Sequence, residues 1–154
     1  MAAMTYGAKK DLALEHYQKA LKLNPENSEA RWQKSLALLT MGKFAEGWRY
    51  YEARERLPGW DTRKTVNVPK WDGLETEHLY LHGEQGVGDE IMFLSCLDEC
   101  LGKVKKLTLE VNRKVAGIAQ LTWPHLDIVT DTTEGPYTAK LPIGSLAPML
   151  RRNV

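Results

Sequence analysis

The stretch His78–Leu101, HLYLHGEQGVGDEIMFLSCLDECL, decides how the chain is read. A short apolar run, Leu79-Tyr80-Leu81, enters a loop holding Gly83, Gly86 and Gly88, and apolar residues at helical spacing follow at once. Strand, glycine loop and helix in that order open an α/β domain that takes a nucleotide or a sugar. The glycines do not follow the dinucleotide order G-x-G-x-x-G, and no phosphate-loop GK[ST] follows them. NAD and ATP are therefore not expected, and no cofactor is assigned.

Working outward toward the carboxyl end, strands and helices alternate. Strand His78–His82 is followed by a helix over Gly88–Leu101, and KLTLEVN (Lys106–Asn112) alternates as a strand. A short helix over Arg113–Leu121 stops at Trp123-Pro124. Leu126–Val129 and Ala139–Ile143 read as further strands, and Ser145 could cap a last helix reaching Arg152. This alternation implies a parallel sheet with right-handed crossovers. The helix after the glycine loop carries Ile91, Met92, Phe93, Leu94, Leu97 and Leu101, an apolar surface wide enough to need cover on both sides.

Toward the amino end the pattern is helical. Leu12, Ala13, Tyr17, Ala20, Leu21 and Leu23 fall at helical spacing until Asn24-Pro25 stops the run. Ser28 is positioned as an N-cap for a helix over Glu29–Met41, Gly42 breaks it, and a third helix runs Phe44–Arg56 before Pro58-Gly59. Between the two regions lies LPGWDTRKTVNVPKWDGL (Leu57–Leu74), whose prolines and glycines mark a connection with little regular structure. Trp60 and Trp71 are expected to pin this connection to a domain surface, with stacking on a sugar as the alternative. The chain thus divides into helical hairpins (1–57), a linker (58–75) and an α/β region (76–154).

Composition excludes several classes. With 154 residues, 43% hydrophobic and 27% charged, the chain is of globular type. Lys and Arg number 21 against 20 Asp and Glu, a net charge of +1, so nothing points to nucleic acid. No run approaches a membrane span and the first ten residues carry no signal-peptide apolar region, so a cytoplasmic location and no membrane partner are expected. Cys96 and Cys100, four apart on one expected helix, read as buried reduced thiols; no ligand spacing completes a metal site, and none is assigned.

The helical region resembles the tetratricopeptide repeat. Ala13, Tyr17, Ala20 and Pro25 match the second half of one repeat. From Ser28 a second follows in frame, with Gly42 and Phe44 at its turn and Gly47 and Tyr51 at its small and aromatic positions. Ser35 stands where the first-helix glycine is usual, and Arg54 replaces the last small residue. About one and a half repeats do not bury a continuous core, so these hairpins are expected to lean on the following domain or on another chain, a protein partner or a second copy.

The second region resembles the amino-terminal half of a GT-B-type glycosyltransferase. The residues that carry this are Trp71-Asp72-Gly73, Gly83–Glu90 (GEQGVGDE), Leu109-Glu110-Val111 and Leu141–Leu146. Bacterial proteins with tetratricopeptide repeats ahead of a transferase-like region are the nearest likeness. Gly88-Asp89 looks like the loop that opens heptosyltransferases, which implies Asp89 as a general base on an acceptor sugar. From their own chemistry, glycines let a ligand approach backbone N–H groups, and Gly83, Glu84, Gln85, Gly86, Gly88 and His82 form the candidate ligand site. Two readings of Asp89 stay open: a proton acceptor for a sugar hydroxyl, and an acidic residue placed by helix capping and the dipole.

In such transferases the donor lies mainly on the carboxyl-terminal domain, and no second glycine loop follows here. The expectation is therefore an interaction module carrying a truncated transferase-like half-domain, inactive alone. The alternatives are part of a glycosyltransferase completed by a further domain or partner, and a small ligand-binding α/β protein.

Overall fold

The computed structural model describes residues 2–60, 66–84 and 86–151, with side chains from Asp11 on. Gln85, residues 61–65 of the expected linker and the expected helix end at Arg152 lie outside the described residues. The chain forms two compact units, one of Met1–Trp60 with Arg151–Val154 and one of Asp61–Leu150.

The first unit is helical: α1 (Ala2–Leu23), α2 (Ser28–Thr40) and α3 (Phe44–Tyr51), with a 3-10 turn over Glu52–Arg56. Helix α2 packs against both α1 and α3. The cap of α2 is Asn27, not Ser28. Asn27 is extended, its side chain accepts the Ala30 N–H at 2.9 Å, and Ser28 is already helical. Two good capping residues stand side by side here, and the turn after Pro25 selects the first.

Close approach of α2 and α3 requires a glycine at 47, where a Cβ would sit 2.7 Å from Leu39 Cδ2 and 3.2 Å from the Leu39 backbone nitrogen. The expected single helix Phe44–Arg56 tightens to a 3-10 turn at Glu52. The fully buried Arg54 sits there, its guanidinium 4.5 Å from the Tyr51 ring and 5.3 Å from Trp60, with Glu52 accepting from it at 2.8 Å. Trp32 joins the cluster, 5.0 Å from Tyr51 and 6.2 Å from Trp60. Cation–π contacts and the Glu52 carboxylate thus help to compensate a charge that is costly to bury.

The second unit is a parallel four-stranded sheet with helices, a mixed α/β architecture. Its strands are β1 (Thr76–His82), β2 (Val104–Glu110), β3 (Asp127–Val129) and β4 (Ala139–Pro142), in the order β3-β2-β1-β4. Helices α4 (Val87–Leu94) and α5 (Leu97–Leu101) lie between β1 and β2, α6 (Arg113–Thr122) between β2 and β3, and α7 (Leu146–Leu150) closes the unit.

The expected continuous helix Gly88–Leu101 is broken. At Ser95-Cys96 the backbone makes a tighter turn, with the Cys96 N–H on the Phe93 carbonyl and the Ser95 hydroxyl on the Met92 carbonyl at 2.6 Å. The break leaves Phe93, Leu94, Leu97 and Cys100 in the core while Ile91 and Met92 stay half exposed, so the helix is covered on one side, not two. Cys96 consequently stands in the turn as the N-cap of α5, and Cys100 lies within that helix. Both are buried and free, and burial pushes the Cys100 thiol up to about 12.

The stretch before β1 is more ordered than a linker. Pro69–Trp71 runs beside β4: Lys140 donates to the Pro69 carbonyl at 2.9 Å and its carbonyl accepts from Trp71 at 2.8 Å. Trp71 is buried, with its indole N–H on the Leu74 carbonyl at 2.7 Å, so it presents no face for a sugar to stack on. Trp60 is committed to the Trp32 and Arg54 cluster.

The two sheet faces differ. Leu79, Leu81, Leu107 and Leu109 form one, fully or nearly fully buried. His78, Tyr80, Thr108 and Glu110 form the other and hydrogen-bond across strands: His78 Nε2 meets Thr108 Oγ1 at 2.9 Å, and the Tyr80 hydroxyl donates to Glu110. The β3–β4 connection, residues 130–138, lies over this polar face. Thr132 donates to Glu110 at 3.0 Å, and Tyr137 packs on His78 and Tyr80 with ring centroids 4.8 and 4.6 Å apart. Burial and the adjoining Glu110 carboxylate raise the Tyr80 phenol above its ordinary range.

Three outcomes follow for stability. Gly47→Ala should cost about 1–3 kcal/mol by overpacking α2 against α3, whereas Ser35→Ala should be neutral or stabilise by up to about 1 kcal/mol. The Ser35 hydroxyl is buried without a hydrogen-bond partner, and urea denaturation of both variants checks the contrast. Burial, with the Lys106 charge second, holds His78 below its ordinary pKa of 6.5. The unfolded chain therefore takes up that proton first. The stabilisation from neutral His78 is complete above about pH 6.5 and declines as pH falls toward the lower folded value. His78→Gln should flatten the dependence of the urea midpoint on pH between about 7 and 5.

Candidate functional site

In an open parallel sheet, ligands bind outside the carboxyl ends of the strands, where the strand order reverses. Here that point lies between β1 and β4, and the glycine loop leaves β1 at this edge. Gly83 extends the sheet by one residue, its N–H on the Glu110 carbonyl at 2.7 Å. Val111 does the same toward β3, donating to Val129 at 3.0 Å.

Glu90, in the first turn of α4, fixes this edge. It is 1% exposed, and its Oε2 accepts the Asn112 N–H at 2.9 Å. Asn112 in turn caps α6 by accepting the Lys114 N–H at 3.0 Å. The Glu90 carboxylate also fills the space beside Gly83: a Cβ there would overlap Glu90 Oε1, with Cδ at 3.0 Å and the Glu110 carbonyl oxygen at 3.2 Å. Gly83 is thus a glycine because a carboxylate occupies the room a side chain would need. Helix α4 also packs on the buried 3-10 turn Ile143–Ser145 that follows β4.

The candidate residues separate into enclosed and open groups. Gly83 and Glu84 are buried, and Glu84 presents no surface at all. His82 and Asp89 are half-buried, while Gly86 and Gly88 are exposed. Gln85 lies outside the described residues. Asp89 Oδ2 accepts the Gly86 N–H at 3.3 Å, a long bond that caps α4 with a side chain other than the N-cap's own. Gly86 has no side chain, so the reciprocal half of a capping box cannot form.

Gly88 stands apart. Its φ is not positive, and a Cβ there would meet nothing within 4 Å. Neither backbone conformation nor internal packing demands a glycine. Gly86 is nearly as open, with only Asp89 Oδ2 at 3.5 Å. Two exposed glycines, a half-buried carboxylate and the first turn of a helix therefore share one edge of the sheet, an arrangement that admits a hydroxyl-bearing or anionic group close to the backbone.

Sequence reading missed the structural part of Glu90, a first-turn acid next to Asp89. The spacing held a signal: on a helix the two point about 100° apart, so only one can face β2. It also missed the Tyr80–Glu110–Thr132 network, visible as polar residues at every second position of HLYLH and KLTLE. A depression of about 580 Å³ lined by Glu75, Glu77, Lys103 and Lys105 lies at the amino-terminal edge of the sheet, the wrong end for a ligand of this architecture. Among the described residues no group of three His, Cys, Asp or Glu is placed to hold a metal ion, and no helix is long and apolar enough to cross a membrane.

No family model matches the chain, and no solved structure matches it. Among curated proteins it is similar to Protein FlbA of Caulobacter vibrioides, 32% identical over 110 residues. The match takes in 67% of this chain but only 18% of FlbA, so the chain spans less than a fifth of that protein's length.

Removing each acid separates their roles. Glu90→Ala should destabilise the α/β unit by about 1–3 kcal/mol, because the Asn112 N–H loses its acceptor and a cavity opens beside Gly83. Asp89→Ala should cost no more than about 1 kcal/mol, the value of an exposed cap. Amide hydrogen exchange should speed at Asn112 in the first variant and stay unchanged there in the second.

Proposed function

We propose that the α/β unit is the acceptor-side half of a GT-B-type, heptosyltransferase-like sugar transferase, carried behind tetratricopeptide-like hairpins that engage a protein partner or a second copy. On this reading the chain is an interaction module that does not turn over alone. A donor-binding half, on a further segment or on another polypeptide, completes the site. Asp89 would accept the proton of the acceptor hydroxyl as its oxygen bonds to the sugar carbon and the nucleotide leaves with the electrons of the broken bond. His82 would orient a neighbouring hydroxyl. The two buried, free thiols agree with a reducing cytoplasm in a bacterial cell.

The observation that carries the reading is Gly88: an exposed glycine with no internal reason to be one, next to a half-buried carboxylate at the switch point of a parallel sheet. For the helical unit, the support is the glycine-mediated packing of α2 on α3 and the exposure of Leu12, Leu23, Leu36 and Phe44, apolar side chains that a partner would cover.

Amide NMR of the whole chain, titrated with free hexoses and heptoses and separately with nucleotide sugars, tests this. Acceptor-type sugars should move the Gly86, Gly88 and Asp89 resonances, and nucleotide sugars alone should not. Gly88→Ala should fold at least as stably as the parent, since alanine is favoured by up to about 1 kcal/mol in a helix, yet weaken sugar binding by roughly tenfold or more. No response of these amides to any sugar would end the reading.

A further inference from the structure

Three arginines surround a small hollow in the helical unit, and no function assigned above uses it. The hollow is about 90 Å³ and is lined by Arg31 of α2, Arg49 and Tyr50 of α3, and Glu52, Ala53 and Arg56 of the 3-10 turn. A hollow of that size suits a single carboxylate or phosphate group.

The rim has unused donors and a surplus of positive charge. Arg31 donates from Nε to the Pro25 carbonyl at 2.7 Å and from Nη2 to Glu26 at 2.9 Å. Arg56 reaches the other oxygen of the same carboxylate at 3.0 Å, so Glu26 holds both guanidinium groups in place. Arg49 is exposed and has no hydrogen-bond or ion-pair partner among the described residues. Glu52 on the rim is already bound by the buried Arg54. Among the residues that line the hollow, three arginines therefore stand against one carboxylate, that of Glu52. The Tyr50 hydroxyl accepts from Lys34 Nζ at 3.0 Å, which leaves its own proton to donate. Guanidinium N–H pairs are the donors best matched in geometry to a carboxylate or phosphate.

We propose that Arg31, Arg49, Arg56 and Tyr50 form a binding site for a compact oxyanion, a carboxylate or phosphate group of one or two negative charges. The site lies within one unit and is independent of the sugar-transfer reading.

The test is NMR of the arginine Nε–H groups in the whole chain. Inorganic phosphate and acetate are titrated separately, with ionic strength held constant by chloride. The expected result is a saturable shift at Arg49 and Arg56, with Kd raised about tenfold in Arg49→Gln, by loss of a charge-assisted pair, and unchanged in Lys103→Gln. Arg49 makes no internal contact that its loss would unfold, and Arg56→Gln serves as a second variant with the same expectation. Saturation by phosphate alone identifies a phosphate group as the ligand chemistry, and saturation by acetate identifies a carboxylate. Shifts that stay linear in anion, or that are the same in Arg49→Gln, would overturn the site.

Discussion

A carboxylate enclosed in a protein must be met by hydrogen bonds, and the α/β unit is built around one such demand. Glu90 reaches from the first turn of α4 across the ends of two strands to the backbone N–H of Asn112. That N–H stands at the start of α6, where a helix has donors with no partner of its own. One side chain therefore links the turn after β1 to the turn after β2. The link also dictates Gly83, because the carboxylate lies where any Cβ would be. Removing the charge, lengthening the side chain or filling position 83 would each disturb the same corner. The open part of the loop, Gly86 to Asp89, is thus mounted on a corner whose position is set by a buried hydrogen bond.

The polar face of the sheet solves a related problem. A parallel sheet is normally covered by helices on both sides, and here a connection without helix, residues 130–138, lies on one of them. Such a segment cannot cover apolar side chains with an apolar stripe of its own, and its backbone groups need partners. The strands meet it with Glu110, which accepts the Thr132 hydroxyl, and with His78 and Tyr80, which pack on its one aromatic ring. The leucines are kept for the helical side. The alternation HLYLH and KLTLE is the sequence form of this division.

Legibility followed the range of the interaction responsible. Strands β1 and β2 were readable because period-two alternation is local, and the glycine loop because its residues are adjacent. Elements decided by distant partners were not. The apolar residues from Ile91 to Leu101 keep helical spacing across Ser95-Cys96, so nothing local marks the break that packing imposes there. Trp71 reads as a linker residue until the edge of β4 gives its backbone a partner at Lys140, far along the chain. Asn27 and Ser28 cap equally well on paper. Asp89 and Glu90 are equivalent to a helix dipole, and only the position of Asn112 tells them apart. At the candidate site the glycines and acids were named from sequence, but their division into enclosed and open members needed the fold.

That division bears on how a glycine-rich loop should be weighed. Gly47 and Gly83 exclude side chains for reasons of space, and Gly42, at φ 74°, for reasons of backbone conformation. Such glycines say nothing about ligands, since the fold accounts for them. Gly102 and Gly117 show that the converse is not sufficient: each has open space and an ordinary backbone, yet neither lies at the carboxyl edge of the sheet. What distinguishes Gly86 and Gly88 is the coincidence of three conditions. They are unexplained by the fold, they are adjacent to a half-buried carboxylate, and they sit where strand order reverses. Each condition alone is common; their overlap at one helix start is what gives the loop of this chain a claim to chemistry that its other glycines lack.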